Sequence, residues 1–326
     1  TVVKSVACRG FVACVQVVGV HDFVLQGVGF DFPSCRLHGP CVLRLGSLLY
    51  EFNGRQVRLP FLYLGIQRSL ATQNFRGLTK EADREEISLQ MHRASIGTLC
   101  GQETWMADCK EERWDTGEVY INYGKDFGGA KAGRSEGVCF ILNKSMAAAF
   151  EKGGKRTKKY CPRLATIRIP ISRHEKLYII NAHAPDSGQS KARREGFQRR
   201  LEAALDECGE DETMILAGDF NAATGITADT VDGVVGPHGI AMENAAGREL
   251  VRTAAIHGLV DLVSWEPQKF HGTWMHGRSK LWHQLDKIFM RERDKHKVFK
   301  CRNAPMLVDS DHYSVRLQVR YQKPPP

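Results

Sequence analysis

Long uninterrupted apolar runs are scarce in this sequence, which excludes an obvious membrane-spanning helix. The most apolar stretch, residues 11–30, is broken by His21, Asp22, Gln26 and several glycines, so it reads poorly as a span. It also lacks the form of a secretory signal. A secreted disulfide framework is missing as well. Of the ten cysteines, six lie scattered singly from Cys100 to Cys301 beside apolar residues, as in a reducing compartment. The other four, Cys8, Cys14, Cys35 and Cys41, form two C-x5-C pairs. That spacing is wider than the usual zinc pattern and no histidine completes it, which argues against structural zinc. Acidic residues are the minority charge, 37 against 46 Lys/Arg, for a net charge of +9.

The basic excess is concentrated. Residues 151–200 hold 14 Lys/Arg against four Asp/Glu, and residues 276–326 hold 12 against five. Such runs fit a polyanionic partner, and equally fit solvated helix and loop faces. With 326 residues and 42% apolar content, the chain has room for one large α/β domain or two smaller ones. It begins at Thr1 rather than Met, which reads as a fragment of a longer chain.

Residues 1–68 stand apart, rich in Val, Gly, Leu and Cys and poor in Lys and Glu. They show no helical period, and short strands are expected at Ala13–Val18 and Val57–Leu64. This segment reads as an appendage, β-rich or poorly ordered. A second domain is expected over 69–320. It starts with a strand through Ser69–Asn74, a helix near Lys80–His92 and a strand at Ile96–Cys100. Gly137–Leu142, Leu164–Ile169 and Leu177–Ala182 read as further strands. A helix over Lys191–Cys208 places Phe197, Leu201, Ala204 and Leu205 on one face. Thr213–Ala217 is a buried strand, and Gly247–His257 a helix with Gly258 at its C-terminal end. Strands return at Gln284–Phe289 and Ser314–Val319. Runs of short strands between helices predict two packed sheets with helices outside. The tail over 321–326, ending in three prolines, has no reason to be ordered.

Polar residues recur at the ends of these apolar strands: Asn74, Glu103, Asp219, Asn221, Asp286 and the Asp311–His312 pair. Two carboxamides, four carboxylates and an imidazole suffice to hold a divalent cation, activate a water and grip a phosphate. In GDFNA, the i, i+2 spacing of an extended strand would turn Asp219 and Asn221 to one side. Such a pair can take a proton from water and donate to a phosphate oxygen; an ordinary Asx turn is the competing reading. Glu103 is a suitable hard-oxygen ligand for Mg²⁺, and Asn74 is equally plausible as turn chemistry. His312 would donate to a phosphate if protonated, with Asp286 as its orienting partner. Trp274 and Trp282, beside Arg278 and Lys280, suit stacking on nucleic acid or burial in a core.

The strings QNFRGL, QETW, GVCFILNK, NAHAPD, GDFNA, QLDKIF and SDH, in this order, resemble the exonuclease–endonuclease–phosphatase superfamily. The resemblance covers about residues 69–320. The segments VVGPHGIAMENAAGRELVRTAAIHGLVD and HGTWMHGRSKLWHQLDKIFMRERDK resemble the endonuclease domains of LINE-type non-LTR retrotransposons. They resemble equally the craniofacial-development-type host proteins that derive from those elements.

The resemblance implies a DNase I-like four-layered α/β sandwich, with two packed mixed β-sheets flanked by helices. It implies a Mg²⁺-dependent (Mn²⁺ serving as a substitute) endonuclease that nicks DNA to leave a 3′-hydroxyl and a 5′-phosphate. Glu103, Asn74 and Asp311 would serve the metal site. Asp219 would deprotonate the water, Asn221 would hold water and phosphate, and Asp286 would orient His312. Thr273 would approach the substrate and Ser310 would support the turn, with Trp274 and Arg278 nearby as substrate contacts. His183 departs from the family pattern, standing where Tyr-Ala-Pro is usual. A histidine there has a shorter reach and a charge expected to vary with pH, so reduced activity is expected. The rival readings are an inactivated copy that only binds nucleic acid, and a phosphoesterase of the same fold acting on small molecules or lipids. DNA is the expected partner, with no membrane and no obligate protein partner. A nuclear, reducing location is expected.

Overall fold

The computed structural model describes side chains over residues 69–320, apart from 125–135, 173–174, 227–232 and 271, and only strand backbone before 69. The chain divides into two compact units, Thr1–Gln67 with Arg320–Pro326, and Arg68–Val319. In the first unit, β1 (Val3–Cys8) pairs antiparallel with β2 (Phe11–Gln16), and β3 (Asp31–Phe32) with β4 (Cys35–Arg36). There β5 (Val42–Phe52) pairs with the opening of β6 (Arg55–Asn74). The expected tail falls, from 322 on, outside the described residues; β20 (Ser314–Tyr321) runs through Tyr321.

The second unit is a sandwich of two mixed sheets with helices on its outer faces. One sheet runs β19 (Val298–Ala304), β20, β6, β7 (Thr98–Gln102), β10 (Val138–Leu142), β9 (Val119–Tyr123), β8 (Cys109–Arg113). The other runs β11 (Thr157–Cys161), β12 (Leu164–Pro170), β13 (Lys176–His183), β14 (Glu212–Asp219), β18 (Asp286–Arg291), β15 (Leu259–Asp261). A small hairpin joins β16 (Trp274–Met275) to β17 (Trp282–His283). Strands β7, β10 and β14 are buried at every position, because one face meets the other sheet and the opposite face meets helices.

Helix α1 (Glu81–Arg93) places Ile87 and Met91 in a core with Phe75, Leu78, Leu99 and Tyr120. Helix α2 (Lys144–Lys152) buries Met146, Ala147 and Phe150 and is capped by Asn143, which accepts from the Met146 amide. On the other face, α3 (Lys191–Asp206) and α4 (Ala245–Ile256) share a core. Phe197, Leu201, Leu205, Leu250, Val251 and Ala254 pack there with Leu216 and Phe289. Phe197, Leu201 and Leu205 belong to the apolar stripe read from the helical period. Gly258, at φ +61°, takes the left-handed turn after α4, as a C-terminal glycine does. Among the described residues no helix is long and apolar enough to cross a membrane.

Two parallel pairings set the functional end of the sandwich. β6 runs parallel to β7, with Asn74 opposite Gln102, and β13 runs parallel to β14, with His183 opposite Asp219. Carboxyl ends of parallel strands are where open α/β sheets gather ligands. Asp286, the first residue of antiparallel β18, sits opposite Asp219.

Candidate active site

Asn74, at the end of β6 in one sheet, reaches Asp219, at the end of β14 in the other. The Asn74 Nδ2 donates to Asp219 Oδ2 at 3.0 Å and to Glu103 Oε1 at 3.1 Å, while its Oδ1 accepts from the Arg76 amide at 3.1 Å. Asn74 and Asp219 are both buried. The second Glu103 oxygen accepts from the Trp105 indole at 3.2 Å. Four loop residues here adopt left-handed backbone: Arg76 at φ +53°, Glu103 at +52°, Trp105 at +57° and Asn221 at +48°. Non-glycine residues sit there at a cost, and such strain concentrates at functional sites.

Beside this pair of carboxylates lies an acid–imidazole pair. His312 Nδ1 is 2.8 Å from Asp286 Oδ2, with both residues buried. Burial alone would lower the His312 pKa. Asp286 outweighs it, with Asp219 and Asp311 adding, and raises the group to about 10. His312 is therefore an imidazolium at neutral pH. Burial, and next the negative Asp286, push Asp219 up to about 6, against the opposing pull of His312, Asn74 and the Asn221 amide. Asp219, Asp286 and His312 offer ligand atoms within 4.8 Å of one another. The short bond between His312 and Asp286 makes that trio a proton-holding chain. The carboxylates of Glu103 and Asp219, bridged by the Asn74 amide nitrogen, form the better oxygen-bearing cradle for a hard cation.

Supporting bonds fix the chain. Thr273 Oγ1 accepts from the Leu285 and Asp286 amides at 3.2 and 3.1 Å. It is fully buried, so it positions Asp286 from behind rather than approaching a substrate. Ser310 Oγ donates to the Asn74 carbonyl at 2.7 Å and accepts from the His312 amide at 3.1 Å, tying the SDH turn to β6. Asp311 is exposed, gripped by Arg76 at 2.7 Å and by the Trp274 indole at 3.1 Å. Its place is the rim, apart from the Glu103–Asn74–Asp219 cradle. Trp274 is half-buried with its ring 6.4 Å from that of His312, and Arg278 is exposed in the hairpin loop. Trp282 is tilted against Tyr313 at 5.2 Å.

The i, i+2 argument for Asp219 and Asn221 is corrected. β14 ends at Asp219 and Asn221 leaves extended geometry. Its amide nitrogen donates to Asp219 Oδ1 at 2.9 Å and its Nδ2 to the Ala184 carbonyl at 2.9 Å. This is the Asx turn, and it brings Asn221 beside Asp219 by a tight turn instead of a shared strand face.

His183 is also not the pH-variable group expected. It is buried, and desolvation, followed by Arg163 and then His312 and Arg193, lowers its pKa well below 6.5. It stays neutral across the neutral range.

Other residues were not singled out from sequence. Asn181 donates across the sandwich to the Gly101 and Cys139 carbonyls at 3.0 and 2.8 Å, and accepts from Gln102 Nε2 at 2.7 Å. A polar residue inside the apolar run LYIINA was the available signal. Arg163, buried near His183, had none beyond its place at a strand start. A separate cavity of about 480 Å³, with the Lys287–Asp261 ion pair in its wall, includes none of the site residues.

No family model matches the chain. Craniofacial development protein 2 of Bos taurus is 24% identical over 238 residues, 72% of this chain and 38% of that protein. The protein of the same name from Tragulus javanicus is 24% identical over 238 residues, 72% of this chain and 39% of its own length. The chain thus spans under two-fifths of the length of these relatives. Among solved structures, an AP endonuclease from Leishmania major superposes with a TM-score of 0.58 at 16% identity, covering 78% of this chain and 88% of that one. The endonuclease domain of TRAS1, a telomere-specific non-LTR retrotransposon, gives 0.54 at 13% identity, covering 79% and 100%. A Neisseria 3′ phosphatase, NExo, bound to product DNA hairpin, gives 0.53 at 16%, covering 78% and 100%. At such identities the likeness establishes the fold.

Proposed function

We propose that this chain, which has the two-sheet fold of the endonuclease/exonuclease/phosphatase proteins, is a divalent-cation-dependent DNA endonuclease of the retrotransposon type. One observation carries the reading. A buried carboxylate, Asp219, lies within 3.0 Å of the amide that also holds Glu103, and faces an Asp286–His312 pair whose imidazole is charged. The net charge of +9 and the DNA-processing proteins among its relatives in fold favour DNA over a small phosphoester.

The donor set fits a hard cation: Glu103 and Asp219 present carboxylate oxygens, tied together by the Asn74 amide nitrogen, no cysteine lies among them, and the buried Asp286 Oδ1 has no hydrogen-bond partner. Held there, Mg²⁺ or Mn²⁺ would neutralise charge on the phosphate and acidify water. The chain's own residues account for the rest. Asp219, with its pKa near 6, accepts the proton of the attacking water while Asn221 holds the turn that orients it. Nδ1 of His312 donates to Asp286, which leaves Nε2–H to donate to a phosphate oxygen as charge develops. The water oxygen bonds to phosphorus as the P–O3′ bond breaks, and the departing O3′ takes a proton from solvent, leaving a 3′-hydroxyl and a 5′-phosphate.

The test is an end-labelled duplex incubated with the protein in Mg²⁺ or in EDTA. Cleavage only with Mg²⁺, with ends that ligate without phosphatase treatment, is expected. Fragments bearing 3′-phosphates, or cleavage in EDTA, would overturn the chemistry. Retention of the duplex in a gel shift without any cleavage would point to a binding-only relic, and turnover of small phosphoesters alone to the third reading.

A further inference from the structure

Arg76 follows the central carboxamide of the site, Asn74, by two residues, in the turn NFRG. The backbone on either side of it is held. The Phe75 and Gly77 amides donate to the Gln102 and Glu103 carbonyls at 2.9 and 2.8 Å, and the Arg76 amide donates to Asn74 Oδ1 at 3.1 Å. Arg76 itself keeps a left-handed backbone, φ +53°, which a non-glycine residue adopts at a cost. The side chain this strained turn presents is 54% exposed.

The guanidinium is aimed as well. Its Nη1 lies 2.7 Å from Asp311 Oδ2, the same oxygen that accepts from the Trp274 indole at 3.1 Å. Asp311 sits between two anchored residues. Ser310 Oγ donates to the Asn74 carbonyl at 2.7 Å, and His312 forms a β-bridge with Trp274. One carboxylate thus ties the Asn74 turn, the SDH turn and the hairpin together at the rim. The bond to Asp311 uses one of the five N–H groups of the guanidinium. Among the described residues the guanidinium has no second partner, and an exposed ion pair of this kind holds weakly.

We propose that Arg76 is a specificity-determining residue: its guanidinium, aimed by Asp311, binds a backbone phosphate next to the scissile one. This rests on the reading of the site as one that cuts DNA. A planar guanidinium meets a phosphate through two parallel N–H bonds and keeps its charge at any pH a protein survives. The contact favours a strand with consecutive phosphates over an isolated phosphoester. Asp311 acts here as a positioning residue at the rim, not as a ligand of the cation.

Two experiments test this. The first reads binding alone, in EDTA: fluorescence anisotropy of a labelled duplex across a salt series, for the wild type, Arg76→Gln and Arg76→Lys. Arg76→Gln is expected to weaken binding and to lower the salt slope by about 0.9, the share of one phosphate contact. Arg76→Lys, which keeps the charge, is expected to retain the slope. An unchanged slope in Arg76→Gln overturns the proposal. The second locates the contact by nicking, in Mg²⁺, duplexes that carry one uncharged methylphosphonate at each phosphate flanking the cut in turn. At one neighbouring position the wild type is expected to lose about 10-fold or more, and Arg76→Gln less than about threefold. Equal losses in both proteins at every position overturn the proposal. Asp311→Asn keeps an acceptor for Trp274 but gives up the charge that aims Arg76. It is expected to flatten the positional effect and to leave the Mg²⁺ midpoint of nicking unmoved; a raised midpoint would make Asp311 a cation ligand and overturn its assigned role. Should the wild type nick nothing, the proposed activity falls, while the salt slope still decides whether Arg76 holds a phosphate.

Discussion

At the scale of single residues, His312 and Asp219 set opposite limbs of one pH profile. Asp219 must be ionised to accept a proton, and burial raises it to about 6. His312 must keep its proton, which Asp286 holds to about 10. A cation bound alongside lowers both values. Single-turnover nicking is therefore expected to rise through a limb no higher than about 6 and to fall through one no higher than about 10. Asp286→Asn removes the charge that sustains the imidazolium. It is expected to move the alkaline limb down toward the ordinary histidine value of about 6.5 and to cut the maximal rate by about 100-fold or more. An unmoved alkaline limb would show that His312 does not set it. Asp219, Asp286, His312 and Glu103 could be read from sequence because each ends or begins an apolar strand, where a polar residue is conspicuous. The roles of Thr273 and Asp311 could not. Burial behind Asp286 in one case, and capture by Arg76 and Trp274 at the rim in the other, depend on side chains far away in the chain.

At the scale of elements, the parallel pair β13–β14 is the joint that delivers His183 and Asp219 side by side. Gly218 makes it possible. Its φ is +152°, and a Cβ there would lie 1.8 Å from the Ala182 carbonyl oxygen. Gly218→Ala is expected to destabilise the fold by about 3 kcal/mol or more, seen as a lowered urea midpoint or loss of soluble protein. The second joint is Asn181, which binds β13 to β7 and β10 through three hydrogen bonds. Asn181→Ala removes the buried donor to two carbonyls and one of the three acceptors of Gln102 Nε2. A loss of about 2–4 kcal/mol is expected by chemical denaturation, and an unchanged midpoint would show that water replaces it freely. The helices α3 and α4 were legible because their apolar faces repeat at the helical period and capping residues, Ser190 and Asn244, open them; α1 has no side-chain cap and showed instead through the acidic residues of its opening turns. α2 was passed over, since KSMAAAFEK is only nine residues long and follows the strand GVCFIL with a single cap, Asn143, between them. β8, CKEER, alternates exposed and half-buried positions at a sheet edge, and offers no apolar run to detect.

At the scale of the molecule, the two-sheet sandwich with outer helices was predictable from the order of short strands and from the resemblance of the motifs. The register that puts Asn74 of one sheet against Asp219 of the other was not, because nothing in a linear pattern fixes how two sheets face each other. That contact is what turns scattered polar strand ends into one site. The central claim is that the site hydrolyses DNA through Asp219 and His312. The most direct measurement is nicking of supercoiled plasmid in Mg²⁺ by the wild type, Asp219→Ala and His312→Ala at equal folded concentration. The account predicts open-circular product from the wild type and a loss of about 100-fold or more in each variant. Nicking at the wild-type rate by either variant would contradict it.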